Sequence, residues 1–529
     1  MKACISLAAL ALALAETPAF AQDRQSYSAK MALEGNCPLP AVSVPAERDA
    51  RQQLERIESL DQGEDGLNAV ISINPEALCD AAYAAIARLP LDGRTVLVKD
   101  NIETRELPTT AGSLALAGNM TRRDAPLIAN LREAGGVVLG KTNLSEWANI
   151  RDFNSSSGWS AVGGLTRNPH AIDRNTCGSS SGSGAAVAAG FAWAAIGTET
   201  NGSITCPASI NGVVGFKPTV GMVSRTHVVP ISSTQDTAGP MAMSVHDAAL
   251  LLGAMAGSDP ADPATAQADS HKRDFTEGLE NASLEGVKIG VMRRQVGDRA
   301  DLAEVFETAL ADLQSAGAEL VDIGFAMPEG MGEASFAVLL FELREEMGKY
   351  LRSIPPVAQG EEATPRSLAD LIAFNEANAE TEMRWFGQDI FEMAEGTTDQ
   401  AIYAKAKEKA LFLARDTVID RLLAENDVQF LVAPTRGPAW TTDLVNGDNY
   451  NSSIGIGSPA AIGGYPHLTV PMGGIEDLPV GLSIIGGKWQ DWEVLKAGAA
   501  YERARTAAIP TPDFKPWNPQ AGMPSGATD

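Results

Sequence analysis

The sequence has few of the residues that build metal centres and lacks an apolar run long enough to span a membrane. Its 529 residues include five cysteines and five histidines, and none of them forms a C-x-x-C pair or an H-E-x-x-H motif, the spacings typical of zinc sites. No apolar stretch reaches the roughly 20 residues that a bilayer requires. We therefore expect no metal, no cofactor and no membrane span.

Positive charge is also scarce. The chain has 41 Lys and Arg residues against 67 Asp and Glu, which gives a formal net charge of -26. A surface this acidic repels phosphate backbones and anionic lipids. We expect no nucleic-acid partner, and solubility is a sufficient explanation of the charge.

Apolar residues and glycine, by contrast, are plentiful. Hydrophobic residues make up 44% of the chain, and there are 50 glycines. Such a chain can bury a large core and has many positions where the backbone turns tightly or approaches a ligand closely. The composition therefore predicts a globular protein, which we expect to act as a monomer.

The first residues have the pattern of a secretory signal peptide. Lys2 is followed by an apolar run over residues 3–15 and by Ala-Phe-Ala at residues 19–21, a small-residue cleavage site. We predict that residues 1–21 are removed, that the mature chain begins at Gln22, and that the protein is periplasmic or secreted.

Four cysteines remain in that mature chain, at positions 37, 79, 177 and 206. An oxidising compartment permits disulfides, and four thiols allow three complete pairings, among which the sequence does not choose. For Cys177 and Cys206 we expect buried core thiols, with a disulfide as the alternative.

Strand and helix patterns alternate along the chain. Residues 46–61 and 75–88 read as helices, and residues 95–98 form an apolar strand that ends at Lys99. Asp124 is expected to cap a helix that runs to Ala134, and a strand follows. Further strands are expected at residues 287–292, 319–323, 430–433 and 482–485, with a helix at 302–316. This alternation predicts one α/β core with a largely buried sheet.

Two Gly/Ser clusters form the most informative segment, at residues 178–184 (GSSSGSG) and 197–204 (GTETNGSI). A flexible linker is one interpretation, although the run 185–196 between the clusters resembles a tightly packed, buried helix. A phosphate-binding loop would need a following lysine, which is absent. A nucleophile elbow centred on Ser180, with Asp236 and His467, would need a preceding apolar strand, which is also absent.

The remaining interpretation makes both clusters one catalytic site. A serine hydroxyl needs a neighbouring base to become a nucleophile, and a buried lysine can supply one because burial disfavours the ammonium form. Lys99 directly follows an apolar strand and is placed for that role. Its alternative is a surface lysine at a strand end.

Five linked motifs give the chain a resemblance to a known family. The motifs are residues 98–101 (VKDN), 140–143 (GKTN), 178–182 (GSSSG), 197–204 (GTETNGSI) and 212–219 (GVVGFKPT). In both order and spacing they resemble the motifs of the amidase signature family. The resemblance extends to residues 236–240, 464–466, 470–473 and 478–482 and covers about residues 45–505.

The resemblance implies a fold and a set of catalytic roles. It implies a single large domain over residues 22–508, with a mixed, mostly parallel, twisted sheet covered by helices on both faces, and a Pro/Gly-rich tail at 509–529. Ser203 would be the acyl nucleophile, Ser179 a bridging serine after a cis peptide bond, and Lys99 the base. The backbone N–H groups of Thr200, Asn201, Gly202 and Ser203 would form the oxyanion hole. Asn201 stands where many members have glycine, and Glu199 where many have aspartate.

Within the family, three segments are similar to bacterial peptide amidases, which remove ammonia from C-terminal peptide amides. They are residues 141–149, 157–160 and 367–375. The expected partner is therefore a small-molecule or peptide amide. Trp147, Asn149, Arg151 and Trp159 are candidates for the substrate pocket, although aromatic residues more often lie in a core.

Two other functions fit parts of the sequence. An acylamidase acting on anilides, fatty amides or cyclic amides would use the same machinery, because specificity depends on the pocket rather than on the fold. A periplasmic oligopeptide-binding protein would explain the signal peptide and the length but not the lysine and the two serines.

Overall fold

The computed structural model describes residues 28–34, 44–63, 65–356 and 364–518. The predicted signal peptide, Cys37 and the end of the predicted tail lie outside these ranges. None of the helices within them is long and apolar enough to cross a membrane.

Strands and helices alternate through the described chain. Its strands are β1 (Val70–Ile73), β2 (Thr95–Lys99), β3 (Val137–Thr142), β4 (Trp159–Ser160), β5 (Gly164–Leu165), β6 (Ala194–Glu199), β7 (Val214–Lys217), β8 (Thr237–Ala242), β9 (Lys288–Val291), β10 (Glu319–Asp322), β11 (Phe430–Pro434), β12 (His467–Ile475) and β13 (Leu478–Ile485).

Its α-helices are α1 (Ala29–Glu34), α2 (Pro45–Leu60), α3 (Ala77–Ala87), α4 (Pro126–Glu133), α5 (Ser181–Ala188), α6 (Thr205–Ile210), α7 (Val245–Met255), α8 (Ala268–His271), α9 (Ala300–Ser315), α10 (Met331–Ser353), α11 (Leu368–Ala377), α12 (Ala379–Glu382), α13 (Asp389–Glu395), α14 (Gln400–Ala414), α15 (Asp420–Glu425), α16 (Gly457–Gly463) and α17 (Asp491–Ala504). Short 3₁₀ segments lie at Leu114–Leu116, Glu146–Asn149, Pro263–Gln267 and Arg293–Val296, and a π-helical turn at Arg415–Ile419.

Eleven of the strands form one sheet in the order β1-β3-β2-β6-β8-β7-β12-β13-β11-β9-β10. The predicted single α/β core with a mixed sheet is confirmed. The expected majority of parallel pairings is wrong, because four pairings are parallel and six are antiparallel. Strands β12 and β13 pair as a hairpin, which a short connection makes antiparallel.

Both faces of the sheet are covered, as expected. Successive side chains of a strand point to opposite faces, and in β2 Val96 and Val98 pack into one hydrophobic cluster while Leu97 packs into another. Strand β6 divides in the same way between Ile196 and Ala195. A strand buried on both faces needs apolar residues throughout, which explains the continuous apolar run before Lys99.

Most predicted elements appear within a few residues of their predicted bounds, with two exceptions. The run 185–196 is not one buried helix: α5 ends at Ala188, the backbone turns at Gly190 with φ 70°, and β6 begins at Ala194. Asp124 does not cap α4, whose N-cap is Ala125. The Asp124 carboxylate instead pairs with Arg105 and Arg132.

Candidate active site

The candidate site lies where two neighbouring parallel strands end. Strands β2 and β6 are paired, with Val98 opposite Ile196. Because the carboxyl ends of parallel strands meet at one edge of a sheet, Lys99 at the end of β2 is brought beside Thr198 and Glu199 at the end of β6. Ligand sites of α/β proteins commonly lie at such an edge.

Lys99 is fully buried and surrounded by acceptors. Its Nζ donates to the Ser179 Oγ at 2.8 Å, to the Thr198 Oγ1 at 2.8 Å and to the Thr198 carbonyl at 3.3 Å. Burial lowers the pKa of Lys99 to about 7, although Asp236 and Glu199 oppose the shift by their negative charge. A substantial fraction of Lys99 is therefore a neutral amine near neutral pH, as a base requires.

Ser179 begins the segment that enters helix α5. The peptide bond between Gly178 and Ser179 is cis, and the Ser179 carbonyl accepts from the Ser145 N–H at 3.1 Å. A side chain at position 178 would collide with the Ser145 hydroxyl, so the chain needs glycine there. The Ser179 hydroxyl, fully buried, is thereby held against the Lys99 amine.

The loop at residues 200–203 precedes helix α6 and is partly open to solvent. The Ser203 carbonyl accepts from the Ser180 N–H at 3.1 Å, a bond that ties the two serine segments together. Gly202 has a left-handed backbone with φ 88°, whereas Asn201 is absent from the positive-φ positions. Asn201 therefore meets no conformational demand for glycine, and its exposed side chain accepts from the Ser458 hydroxyl at 3.2 Å.

Two carboxylates fix the ends of this loop. One Glu199 oxygen accepts from the N–H groups of Ile204 and Thr205 at 2.8 and 3.0 Å and from the Thr205 hydroxyl at 3.2 Å. Asp236 accepts from the Thr200 hydroxyl at 2.6 Å. The sequence patterns gave neither Glu199 nor Thr198 a role, although both lie within the quoted motif 197–204.

A disulfide joins the two serine segments covalently. Cys177, two residues before Ser179, is bonded to Cys206, three residues after Ser203. The expectation of two separate core thiols is therefore wrong. Spacing along the chain does not reveal the pairing, because the two sulfurs meet only when α6 packs beside α5.

The alternative of a Ser-His-Asp triad is not supported. Ser180 donates to the Thr198 carbonyl at 3.1 Å, and the His467 Nε2 pairs with the Ser483 hydroxyl at 2.6 Å in the neighbouring strand. Asp236 accepts from the N–H groups of Ile231 and Ser232. The three residues of that alternative thus bind other partners and not one another.

The residues suggested for the substrate pocket lie largely in the core. Trp147 and Trp159 are 2% and 6% exposed and pack edge-on against Phe391 and Phe386. Arg151 is fully buried and its Nε lies 2.8 Å from Glu146. Asn149 is half-buried and donates to the Ser157 hydroxyl at 3.0 Å. None of these four side chains lines the cavities described next.

Cavities adjoin the site on two sides. A cavity of about 660 Å³ is lined by Thr198 and Thr200, by the loop that contains Asp236 and by helix α10. A smaller cavity of about 70 Å³ is lined by Asn201, Gly202 and Arg436, among others. Arg436 also lines a cavity of about 510 Å³ that lies beyond it. The 660 Å³ and 70 Å³ cavities are thus both lined by residues of the 200–203 loop.

Comparison with known proteins gives a consistent result. The Amidase family model matches residues 50–495. A probable amidase of Arabidopsis thaliana is 37% identical over 83% of each chain. The crystal structure of an amidase family protein from Bacillus anthracis superimposes with a TM-score of 0.78 and 32% identity over 94% of this chain and 95% of its own. The native peptide amidase of Stenotrophomonas maltophilia superimposes with a TM-score of 0.83 and 45% identity over 89% of this chain and 96% of its own.

Proposed function

We propose, because this chain belongs to the amidase family, that it hydrolyses C-terminal peptide amides to the free acid and ammonia through an acyl-enzyme on Ser203. Family membership makes the chain an amide hydrolase and removes the solute-binding alternative. The observation that carries the mechanism is the 2.8 Å contact between the buried Lys99 amine and the Ser179 hydroxyl. The peptide-amide substrate is supported by the likeness to the S. maltophilia peptide amidase.

The proposed proton route runs through three residues. Neutral Lys99 accepts the Ser179 proton while Ser179 accepts that of Ser203, so that the Ser203 oxygen bonds to the amide carbon. The same route in reverse delivers the proton to the departing nitrogen, and ammonia leaves as its bond to carbon breaks. Water then attacks the ester carbon and gives a proton to the same route. The bond between that carbon and the Ser203 oxygen breaks, Ser203 takes the proton back, and the water oxygen becomes part of the product carboxyl group.

The backbone of residues 200–203 is proposed to hold the developing negative charge. Preorganised N–H donors aimed at an oxyanion are worth about 10²- to 10³-fold in rate per donor. Glu199 and Asp236 bond to the two ends of this loop, and these bonds support a fixed geometry before substrate arrives. A fixed loop needs no reorganisation at the moment of reaction, which is the source of the rate gain.

The test is ammonia release from a C-terminally amidated dipeptide by the purified protein. Ser203→Ala and Lys99→Ala should abolish release, whereas Ser315→Ala and Lys405→Ala, at exposed positions on helices, should leave it unchanged. Retained release in Ser203→Ala would overturn the acyl-enzyme. No release by the unsubstituted protein, together with hydrolysis of anilides, fatty amides or cyclic amides, would overturn the substrate class but leave the hydrolase.

We also propose that the enzyme acts outside the cytoplasm, as a monomer, after loss of residues 1–21. The basis is the signal-peptide pattern that precedes Gln22. N-terminal sequencing of the exported protein would find Gln22 as the first residue, and light scattering would give the mass of one chain.

A further inference from the structure

Arg436 lies beside the loop that is proposed to form the oxyanion hole. Strand β11 ends at Pro434, Arg436 lies two residues later, and its side chain is half-buried. Its Nη2 is 3.8 Å from the position that a Cβ on Gly202 would occupy. The guanidinium therefore lies within a few ångströms of the backbone next to Ser203.

Within the described part of the chain, the charge of Arg436 has no carboxylate partner. Among the described residues it forms no ion pair and donates no hydrogen bond. Its guanidinium carbon lies 4.7 Å from the ring centroid of Tyr450, and burial, with the positive charges of Lys217 and Arg436, lowers the pKa of His467. Other half-buried arginines, such as Arg132 and Arg225, pair with acids, whereas Arg174 donates to the Thr441 hydroxyl at 2.9 Å instead. A half-buried guanidinium left unpaired beside a reaction centre is available to a ligand.

The cavity beyond Arg436 has the size and lining to hold the rest of a peptide. Its volume is about 510 Å³, and its lining includes the aromatic side chains of Trp440, Tyr450 and Trp517. Two acids also line it: Asp301, which pairs with Arg299, and Glu476, which is exposed. Two arginines of the lining, Arg174 and Arg436, are in no ion pair among the described residues, and of these two Arg436 is the one that lies against Gly202.

We propose that Arg436 is a specificity-determining residue that selects acyl groups with a carboxylate near the scissile amide. For peptide amides, the carboxylate belongs to an Asp or Glu at the residue that carries the amide or at the one before it. A guanidinium binds a carboxylate through two parallel hydrogen bonds, and partial enclosure strengthens the attraction. This inference rests on the proposed function for the choice of peptide amides as substrates. The pairing of Arg436 with a carboxylate does not depend on that choice.

The test compares matched substrates in the unsubstituted enzyme and in Arg436→Gln. The substrates are acetyl-dipeptide amides that carry either Glu or Met at one of the two positions. Met serves as the reference because its side chain is neutral and similar in length to that of Glu. We expect kcat/KM to favour Glu about tenfold at one of the two positions, a typical effect of a charge-assisted hydrogen bond, and Arg436→Gln to bring the ratio within about twofold of unity. Arg436→Lys, which keeps the charge without the planar fork, should retain part of the preference.

Controls separate recognition from folding. Arg299→Gln removes another arginine of the same cavity and should leave the ratio unchanged, and labelling of Ser203 by a fluorophosphonate reports whether each variant retains an intact site. The ratio in the unsubstituted enzyme should also fall as salt is raised from about 0.05 to 0.5 M, because salt screens a partly exposed pair. This salt series tests the charge even if Arg436→Gln does not fold.

The outcomes are distinguishable from those of the proposed function. A Glu/Met ratio that is the same in Arg436→Gln, or a ratio near one in the unsubstituted enzyme, would overturn the role of Arg436. If peptide amides are not hydrolysed but anilides are, the proposed substrate class fails. Glutaryl and pentanoyl anilides, which differ in a terminal carboxylate, then give the same comparison.

Discussion

The amine of Lys99 lies 2.8 Å from the hydroxyl of Ser179, although the two residues are 80 positions apart in the sequence. Lys99 ends an interior strand of the sheet, and Ser179 lies just before helix α5. The residues that neighbour each of them along the chain do not indicate that the two side chains meet. Their contact exists because β2 pairs with β6 and α5 packs over both strands, and it turns a buried lysine into a candidate base.

The activity should depend on the ionisation of Lys99. Since only the neutral amine accepts a proton and burial lowers the pKa of Lys99 to about 7, kcat/KM should rise about tenfold per pH unit below that value and level off above it. Thr198→Val removes an acceptor that favours the ammonium form, so the acidic limb should move to lower pH. A limb near pH 10, the range of an exposed lysine, would contradict Lys99 as the base.

Glu199 should act as a positioning residue for the oxyanion loop. Glu199→Ala removes acceptors from two N–H groups and one hydroxyl, and we expect kcat to fall about tenfold to a hundredfold with little change in KM. Glu199→Gln keeps an acceptor oxygen and should restore most of kcat. Because the charge of Glu199 raises the pKa of Lys99, the acidic limb of Glu199→Gln should also lie at lower pH, an effect that a purely structural role would not produce.

The disulfide between Cys177 and Cys206 should contribute measurably to stability. It closes a loop with a sequence separation of 29, for which the chain-entropy relation gives about 3 to 4 kcal/mol. The double variant Cys177→Ala, Cys206→Ala should lose that much free energy of unfolding in urea, and kcat should fall because both serine segments gain freedom. An unchanged urea midpoint and slope would show that the bond constrains little.

Arg151 should matter for stability and not for substrate choice. Its guanidinium is fully buried, with its Nε 2.8 Å from the fully buried Glu146 carboxylate, and donates to the Glu382 carbonyl at 2.7 Å. Burial and the neighbouring Glu382 already raise the pKa of Glu146 well above its ordinary value, so in Arg151→Ala the carboxyl takes up a proton. The loss of stability should therefore be smaller than the cost of a broken buried pair whose remaining charge persists, about 3 to 5 kcal/mol. At a temperature where the variant is folded, relative kcat/KM values across a set of peptide amides should be unchanged, and an altered ranking would return Arg151 to the substrate pocket.

Several parts of the fold follow from local patterns. Apolar runs bounded by polar residues predict β2, β3 and β11 to within a few residues, because a strand buried on both faces must be apolar throughout. The Ala-rich run 185–196 was predicted as one helix, but alanine packs equally well in a buried helix and in a buried strand. Only Gly190 marks the division between α5 and β6.

The sequence by itself determined the family and the candidate catalytic groups, because Lys99, Ser179 and Ser203 lie in short motifs whose spacing along the chain is directly readable. Tertiary structure decided what surrounds them. The low pKa of Lys99 depends on burial, the Cys177–Cys206 bond on the packing of α6 beside α5, and the core position of Arg151 on residues of a helical segment more than 200 positions away. Arg436 reaches Gly202 only because β11 ends near the loop at residues 200–203. The burial and the electrostatic environment of these side chains depend on which distant segments of the chain pack together. Local sequence patterns do not specify that packing.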